Sequence, residues 1–143
     1  MTSLPPNPVL ESLGPLIGEW RVEVPQFGGG SAPVSIEWIE GRAFVRIQSG
    51  PPDPAPNSVQ LVSGDDSSDV YTVLYYDSRG VSRVYQMTFE GGVWKMWRDA
   101  PGFDQRFTGT LSDDGRTIRA AWEKSLDNAT WEHDFDLIYT KVG

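Results

Sequence analysis

Hydrophobic and polar residues alternate along much of the chain, as they do in β-strands that have one buried face and one solvated face. The last run shows this best, because Trp131, Phe135 and Tyr139 fall on one face while Glu132 and Asp136 fall on the other. Similar short runs, rich in β-branched and aromatic residues, recur from residue 17 onward between clusters of turn-forming residues. The pattern predicts an all-β, antiparallel fold.

The spacing of the turns predicts about ten strands. They lie at residues 17–24, 33–39, 42–49, 59–63, 70–76, 81–89, 93–98, 105–111, 117–124 and 130–142. Such a series favours an up-and-down barrel. We expect a single domain over residues 1–143, in which residues 1–8 form an extended lead. One short helix is expected at residues 9–13, ending at Gly14 and Pro15. A long proline-rich loop is expected at residues 50–56.

The composition narrows the range of functions. The chain has 20 acidic and 12 basic residues, a net charge of −8, and therefore no electrostatic attraction for nucleic acid or an anionic membrane. The chain has no cysteine, which excludes disulfides, thiol catalysis and cysteine-ligated metals. It has a single histidine, which cannot form a His-rich zinc site. Because the sequence shows no signal-peptide pattern, the expected location is the cytoplasm.

Several segments carry a family resemblance. The chain resembles an uncharacterised bacterial family of calycin-like, lipocalin-like barrels in residues 74–87 (LYYDSRGVSRVYQM), 97–103 (WRDAPGF) and 105–109 (QRFTG), with 13–20 (LGPLIGEW) near the start and 131–141 (WEHDFDLIYTK) at the end. The resemblance spans most of residues 13–142. It implies a calycin-like barrel and no particular activity.

A more distant resemblance concerns haem. Gly18, Trp20 and His133 are similar to the Gly-x-Trp motif and the histidine ligand of the nitrobindins, which are ten-stranded haem-binding barrels. The chain departs from that group at Val22 and Val24, where the nitrobindins have further small glycine positions. No cofactor is expected from the residues themselves, and this resemblance implies haem as an alternative, with His133 as its proximal ligand.

Alternation also selects candidate polar anchors. It places His133 on the inward face, where a neutral imidazole could ligate iron or act as a general base, or could simply be a hydrogen-bonded core histidine. Arg83 and Tyr85 share one face of their strand. If that face points inward, a ligand carboxylate or enolate would pair with Arg83 unless a protein carboxylate does so. If the strand has the opposite orientation, Arg83 is solvated.

The sequence therefore predicts a barrel that binds a small hydrophobic or amphipathic ligand in its lumen. The candidate contacts are His133, Arg83, Tyr85, Trp20 and Trp97. One alternative is a haem-binding protein. Another is a cofactor-free isomerase or cyclase, in which His133 or a carboxylate is the base and Arg83 steadies an enolate. A third is an interaction module or homodimer whose own side chains fill the barrel, so whether the protein is an enzyme stays open.

Overall fold

The computed structural model describes residues 8–27, 30–41, 43–50, 57–65 and 67–143. The predicted lead and the predicted proline-rich loop lie outside these ranges, apart from Pro8 and Gly50. Among the described residues, no helix has the length and apolar character needed to cross a membrane.

Ten antiparallel strands form a closed barrel in which each strand pairs with its neighbours in sequence and the first strand pairs with the last. The strands are β1 (Gly18–Glu23), β2 (Ala32–Ile39), β3 (Phe44–Ser49), β4 (Ser58–Gly64), β5 (Tyr71–Asp77), β6 (Ser82–Glu90), β7 (Val93–Arg98), β8 (Asp104–Leu111), β9 (Thr117–Ser125) and β10 (Glu132–Lys141). The ten-stranded up-and-down barrel is confirmed, and the strand bounds differ from the predicted ones by two residues at most.

The strands form where the sequence alternates, because each wall of the barrel buries one face and exposes the other. On β6, Tyr85, Met87 and Phe89 are buried inside the barrel, whereas Val84 and Gln86 are exposed outside it. The same alternation runs through the neighbouring strands and creates a continuous apolar interior. Burial of these side chains is the main force that closes the barrel.

The N-terminal helix is a 3-10 helix, η1 (Pro8–Leu16), and a second short one, η2 (Pro25–Phe27), follows β1. The short helix was predicted correctly, but it runs past Gly14, because the amide of Ile17 donates to the Gly14 carbonyl at 3.0 Å and closes one further turn. A 3-10 helix has three residues per turn, so Leu10, Leu13 and Leu16 share one face. All three are at most 1% exposed, and they plug one end of the barrel.

Hydrogen bonds hold this plug in place. The Tyr71 hydroxyl on β5 donates to the carbonyl of Val9 at 2.8 Å and lies 2.6 Å from Ser12 Oγ, which then acts as the donor to Tyr71. Gly64 leaves the room that Val9 needs, since a Cβ atom at Gly64 would lie 2.8 Å from Val9 Cγ1. The indole N–H of Trp20 donates to the Leu16 carbonyl at 2.9 Å. We call the opposite end of the barrel, where β1, β3, β5, β7 and β9 finish, the mouth.

Candidate functional site: a recess at the mouth of the barrel

On four strands of the barrel, β1, β5, β9 and β10, inward-facing side chains become more accessible from the plug toward the mouth. On β9, Ile118 is 1% exposed and Ala120 is 7% exposed, while Trp122, nearest the mouth, is only half-buried. On β10, Tyr139 is 8% exposed and the next inward residue, Leu137, is half-buried. On these strands the inner surface is packed near the plug and stays accessible near the mouth, where it forms a shallow recess.

Other strands show the same change in burial. On β5, Val73 is fully buried, whereas Tyr75, the next inward residue toward the mouth, is half-buried. On β1, Trp20 is buried, whereas Val22, the next inward residue toward the mouth, is half-buried. We call this recess the cup. Its wall is formed by the half-buried inward residues Val22, Ser49, Gln60, Tyr75, Trp122 and Leu137.

A row of aromatic rings crosses the mouth half of the barrel beside the cup. The ring centroids of Tyr75 and Tyr85 lie 6.0 Å apart, those of Tyr85 and Trp122 lie 5.5 Å apart, and those of Trp122 and Phe107 lie 5.2 Å apart. Tyr85 is on β6 and Trp122 is on β9, three strands away around the barrel, so their contact crosses the lumen. The tilted and edge-on geometries are those that aromatic pairs prefer.

A polar cluster lies beside these rings. The Tyr85 hydroxyl donates to Gln105 Oε1 at 2.8 Å, and Arg83 Nη1 donates to the same oxygen at 3.3 Å. The guanidinium carbon of Arg83 lies 5.4 Å from the centre of the Phe103 ring. Arg83 and Tyr85 thus share the inward face of β6, as alternation predicts, and Arg83 is half-buried instead of solvated.

The barrel wall is open beside this cluster. Pairing of β6 with β7 ends where Gln86 lies opposite Trp97, yet β6 continues to Ser82 along β5, and β7 continues to Arg98 along β8. The two strands therefore separate at the mouth. A cavity of about 520 Å³ occupies this gap, which we call the β6–β7 cleft. Its lining includes Arg83, Val84, Trp97, Arg98, Asp99 and Pro101.

Two arginines lie at the cleft without a carboxylate partner. Arg98 Nη1 donates to the Phe103 carbonyl at 3.3 Å, and Arg83 donates to Gln105 as described above. Within the described part of the chain, neither guanidinium has a carboxylate oxygen within the 4.0 Å of an ion pair. Asp99 also lines the cleft, and Asp104, whose Oδ1 accepts from the Ala100 N–H at 2.7 Å, places a second carboxylate in the same turn.

The two predicted tryptophans occupy different places. Trp97 lies on the outer face of β7, because it alternates with the buried Met96 and is paired with Gln86 and Arg106. It lines the cleft from outside and does not enter the lumen. Trp20 is 1% exposed, lies below the floor of the cup and packs under the plug. Sequence alternation defines each strand's faces but does not give the depth of a residue in the barrel.

The predicted inward orientation of His133 is wrong. Glu123 on β9 lies opposite His133, but the next residue, Trp122, lies opposite Phe135, so Asp134 is an extra residue in a β-bulge. A bulge of one residue reverses the faces of the residues before it. The His133 side chain is 52% exposed on the outer surface, with Nε2 2.9 Å from Asp136 Oδ1.

A histidine-ligated haem does not fit the interior of this barrel. The resemblance to the nitrobindins implies His133 as the proximal ligand, and His133 is the only histidine in the chain and lies outside. Among the described residues, no three His, Cys, Asp or Glu side chains converge as metal ligands would.

Tyr75 is held rigidly at the rim of the cup. Its hydroxyl donates to Asp77 Oδ2 at 2.7 Å, and Arg79 Nη2 donates to the same carboxylate oxygen at 2.7 Å. Burial and the bond to Asp77 raise the pKa of Tyr75 above its usual value. Hydrogen bonds from Arg79 and Tyr75 outweigh burial and hold the pKa of Asp77 well below its usual range. The Asp77 carboxylate is thus ionised, fully occupied and a weak proton acceptor.

Sequence reasoning missed Gln105, Arg98 and Phe103 as site residues. The inward position of Gln105 could have been predicted from the sequence, because Gln105 precedes the apolar Phe107 by two positions and therefore shares its strand face. The closeness of Arg98 to Arg83 had no such signal, because it depends on how β6 and β7 separate.

Neither a protein-family model nor a curated protein matches this sequence. Among solved structures, the chain is similar to the crystal structure of Rv2717c from M. tuberculosis, with a TM-score of 0.66 and 12% sequence identity. The match covers 97% of this chain and 100% of that one. At this level of identity the similarity shows a shared barrel fold.

Proposed function

We propose that this protein binds a small amphipathic molecule in the cup. The apolar part of the ligand packs against Leu137, Val22 and the Trp122 ring, and a polar group meets the hydroxyl of Tyr85 and the amide of Gln105 at the mouth. The observation that carries this proposal is the gradient of exposure on β1, β5, β9 and β10, where the inward-facing side chains nearest the mouth keep accessible surface. Apolar surface left accessible inside a closed barrel favours occupation by an apolar group.

The chemistry of the cup supports binding over acid–base catalysis. Most of its wall is apolar or aromatic, with a few fixed polar groups at one end, as in small-molecule binding sites. The imidazole of His133 lies on the outer surface, and the carboxylate of Asp77 accepts two strong hydrogen bonds. His133 therefore does not reach the cup, and Asp77 is a poor general base because its lone pairs accept hydrogen bonds and its pKa is lowered.

A bulky substitution in the cup tests the proposal. Leu137→Trp directs extra volume into the recess, whereas Ile138→Trp directs the same side chain to the outer face of the same strand. With the neutral fluorescent probe N-phenyl-1-naphthylamine, we expect Leu137→Trp to weaken binding about tenfold or more, as overfilling a closely packed site does. Ile138→Trp should leave the dissociation constant within about twofold.

Native mass spectrometry of protein purified from its host supplies a second readout. A co-purifying small molecule that is lost in Leu137→Trp and kept in Ile138→Trp supports the cup as its site. Equal probe affinity in both variants, with each folded by circular dichroism, contradicts binding in the cup and favours a barrel filled by its own side chains.

A further inference from the structure

The β6–β7 cleft has the chemistry of an anion site. Arg83 and Arg98 both line it, and each guanidinium donates one hydrogen bond to a neutral protein oxygen. An arginine carries several N–H donors in a planar fork, so most of the donors of both side chains remain available. A partly buried guanidinium without an anionic partner is unfavourable, and binding of an anion removes that penalty.

Phe103 and Gln105 connect the two arginines. The Phe103 ring lies under the Arg83 guanidinium, and the Phe103 carbonyl accepts a bond from Arg98. Gln105 is paired with Arg98 between β7 and β8, and its side chain accepts a bond from Arg83 across the cleft. These contacts hold two positive side chains at one opening despite their mutual repulsion.

The turn after β7 also contributes to the shape of the site. The backbone N–H of Ala100 donates to Asp104 Oδ1 at 2.7 Å, and Phe103 N–H donates to the Ala100 carbonyl at 2.9 Å. These bonds fold residues 100–104 into a turn, so the chain does not extend the pairing with β6. The cavity of about 520 Å³ falls within the range of roughly 300–1,000 Å³ for small-molecule sites.

We propose that the ligand of the cup is an anion, whose carboxylate, phosphate or sulfate head group binds Arg83 and Arg98 in the β6–β7 cleft. This inference rests on the proposed function, since it names the chemical class of the same ligand. The head group reaches the cleft beside Tyr85 and Gln105, while the apolar part remains in the cup. Asp99 in the lining and Asp104, which is bonded to Ala100 in the same turn, oppose the anion, so the affinity of the site reflects two attractive charges against these two carboxylates.

The experiment compares octanoate with octanol, two probes of equal chain length that differ in the charge of the head group. Isothermal titration calorimetry at neutral pH should show octanoate binding more tightly than octanol by about tenfold or more, as charge-assisted hydrogen bonds allow. In Arg98→Gln and Arg83→Gln, which keep a hydrogen-bond donor at each position, this ratio should fall toward one. In Asp99→Asn, octanoate should bind more tightly and octanol should not.

Two outcomes overturn the inference. The first is equal binding of octanoate and octanol by the unmodified protein. The second is a ratio that stays unchanged in both arginine variants. Either leaves the proposed function intact, because octanol still binds in the cup.

An acetate titration separates failure of the anion site from failure of the cup. It follows the arginine Nε–H resonances by NMR, with Arg83 and Arg98 assigned through their variants. If neither eight-carbon probe binds but acetate shifts both resonances, the cup fails as a binding site and the anion site is supported. If acetate shifts neither resonance, the anion site is overturned.

Discussion

At the scale of single residues, two fully buried tryptophans differ in one hydrogen bond. Trp20 and Trp94 are each 1% exposed. The indole N–H of Trp20 donates to Leu16, whereas the indole N–H of Trp94 has no partner among the described residues. A buried donor left without an acceptor costs free energy, so these two similar side chains stabilise the protein to different extents.

Replacing each tryptophan by phenylalanine measures this difference. Trp20→Phe removes a hydrogen bond and leaves the Leu16 carbonyl without its donor, while Trp94→Phe removes an unpaired donor. We expect Trp20→Phe to lower the free energy of unfolding by about 1 kcal/mol more than Trp94→Phe does, measured by urea denaturation. Equal losses would mean that the Trp94 N–H has an acceptor in solution, such as a buried water molecule.

At the scale of elements, the turn between β9 and β10 depends on one carboxylate. Asp127 accepts hydrogen bonds from the backbone N–H groups of Thr130 at 2.7 Å and Ala129 at 2.9 Å, and from Ser125 Oγ at 3.2 Å. These bonds, led by those from the two backbone groups, lower the pKa of Asp127 from 3.8 to about 2. The turn precedes the β-bulge at Asp134, so it helps to set where β10 starts to pair.

The depressed pKa predicts how the turn responds to acid. A carboxylate whose pKa is lower in the folded state stabilises that state above its unfolded pKa of 3.8 and loses this contribution as the pH falls through about 2. The difference in the free energy of unfolding between the unmodified protein and Asp127→Ala should therefore shrink over that interval. Urea denaturation at a series of pH values measures it.

Asp113→Ala provides the control for loss of an aspartate from an exposed turn. Asp113 lies in the turn after β8, where its neighbour Asp114 accepts the hydrogen bonds from Ser112 Oγ and the Arg116 N–H. Because it removes no such bond, Asp113→Ala should change the free energy of unfolding much less than Asp127→Ala does at neutral pH. If the Asp127→Ala difference stays constant down to about pH 2, the Asp127 bonds do not form in solution.

At the scale of the whole molecule, the structure consists of a barrel and a plug. The strands of the barrel are joined to one another by continuous hydrogen-bonded ladders, and the described part of the plug, η1, is attached by its buried leucines and by the bonds of Tyr71. The plug closes one end and leaves the cup at the other. Segments with few hydrogen bonds to the rest of a protein open at lower free energy than its core, so η1 is expected to open independently.

Tyr71→Phe tests the independence of the plug. It removes the bond to the Val9 carbonyl, which is worth about 1 kcal/mol, and also the bond from Ser12, whose exposed hydroxyl bonds to water instead. Amide hydrogen exchange in residues 9–16 should accelerate about fivefold, with strand amides unchanged. Tyr76→Phe, on the exposed face of β5, is the matched control and should change neither. Equal acceleration in β4 and β6 would show that plug and barrel open together.

Much of the fold could be predicted because its signals are local. Alternation with a period of two depends only on neighbouring residues, and turn residues mark where each strand ends, so the ten strands and the short helix were predictable. The pairing of most consecutive strands follows from the short connections between them. The common face of Arg83 and Tyr85 follows from the same rule.

The site depended on features that arise only when distant strands meet. The bulge at Asp134 moves His133 outside, and it exists because β10 must match the register of β9. The β6–β7 cleft exists because each strand pairs longer with its other neighbour, which brings Arg83 close to Arg98. The sequence alone determined which residues share a strand face. Residue depth, register and strand separation are set by packing around the whole barrel, and therefore only the tertiary structure decided which of those residues form the site.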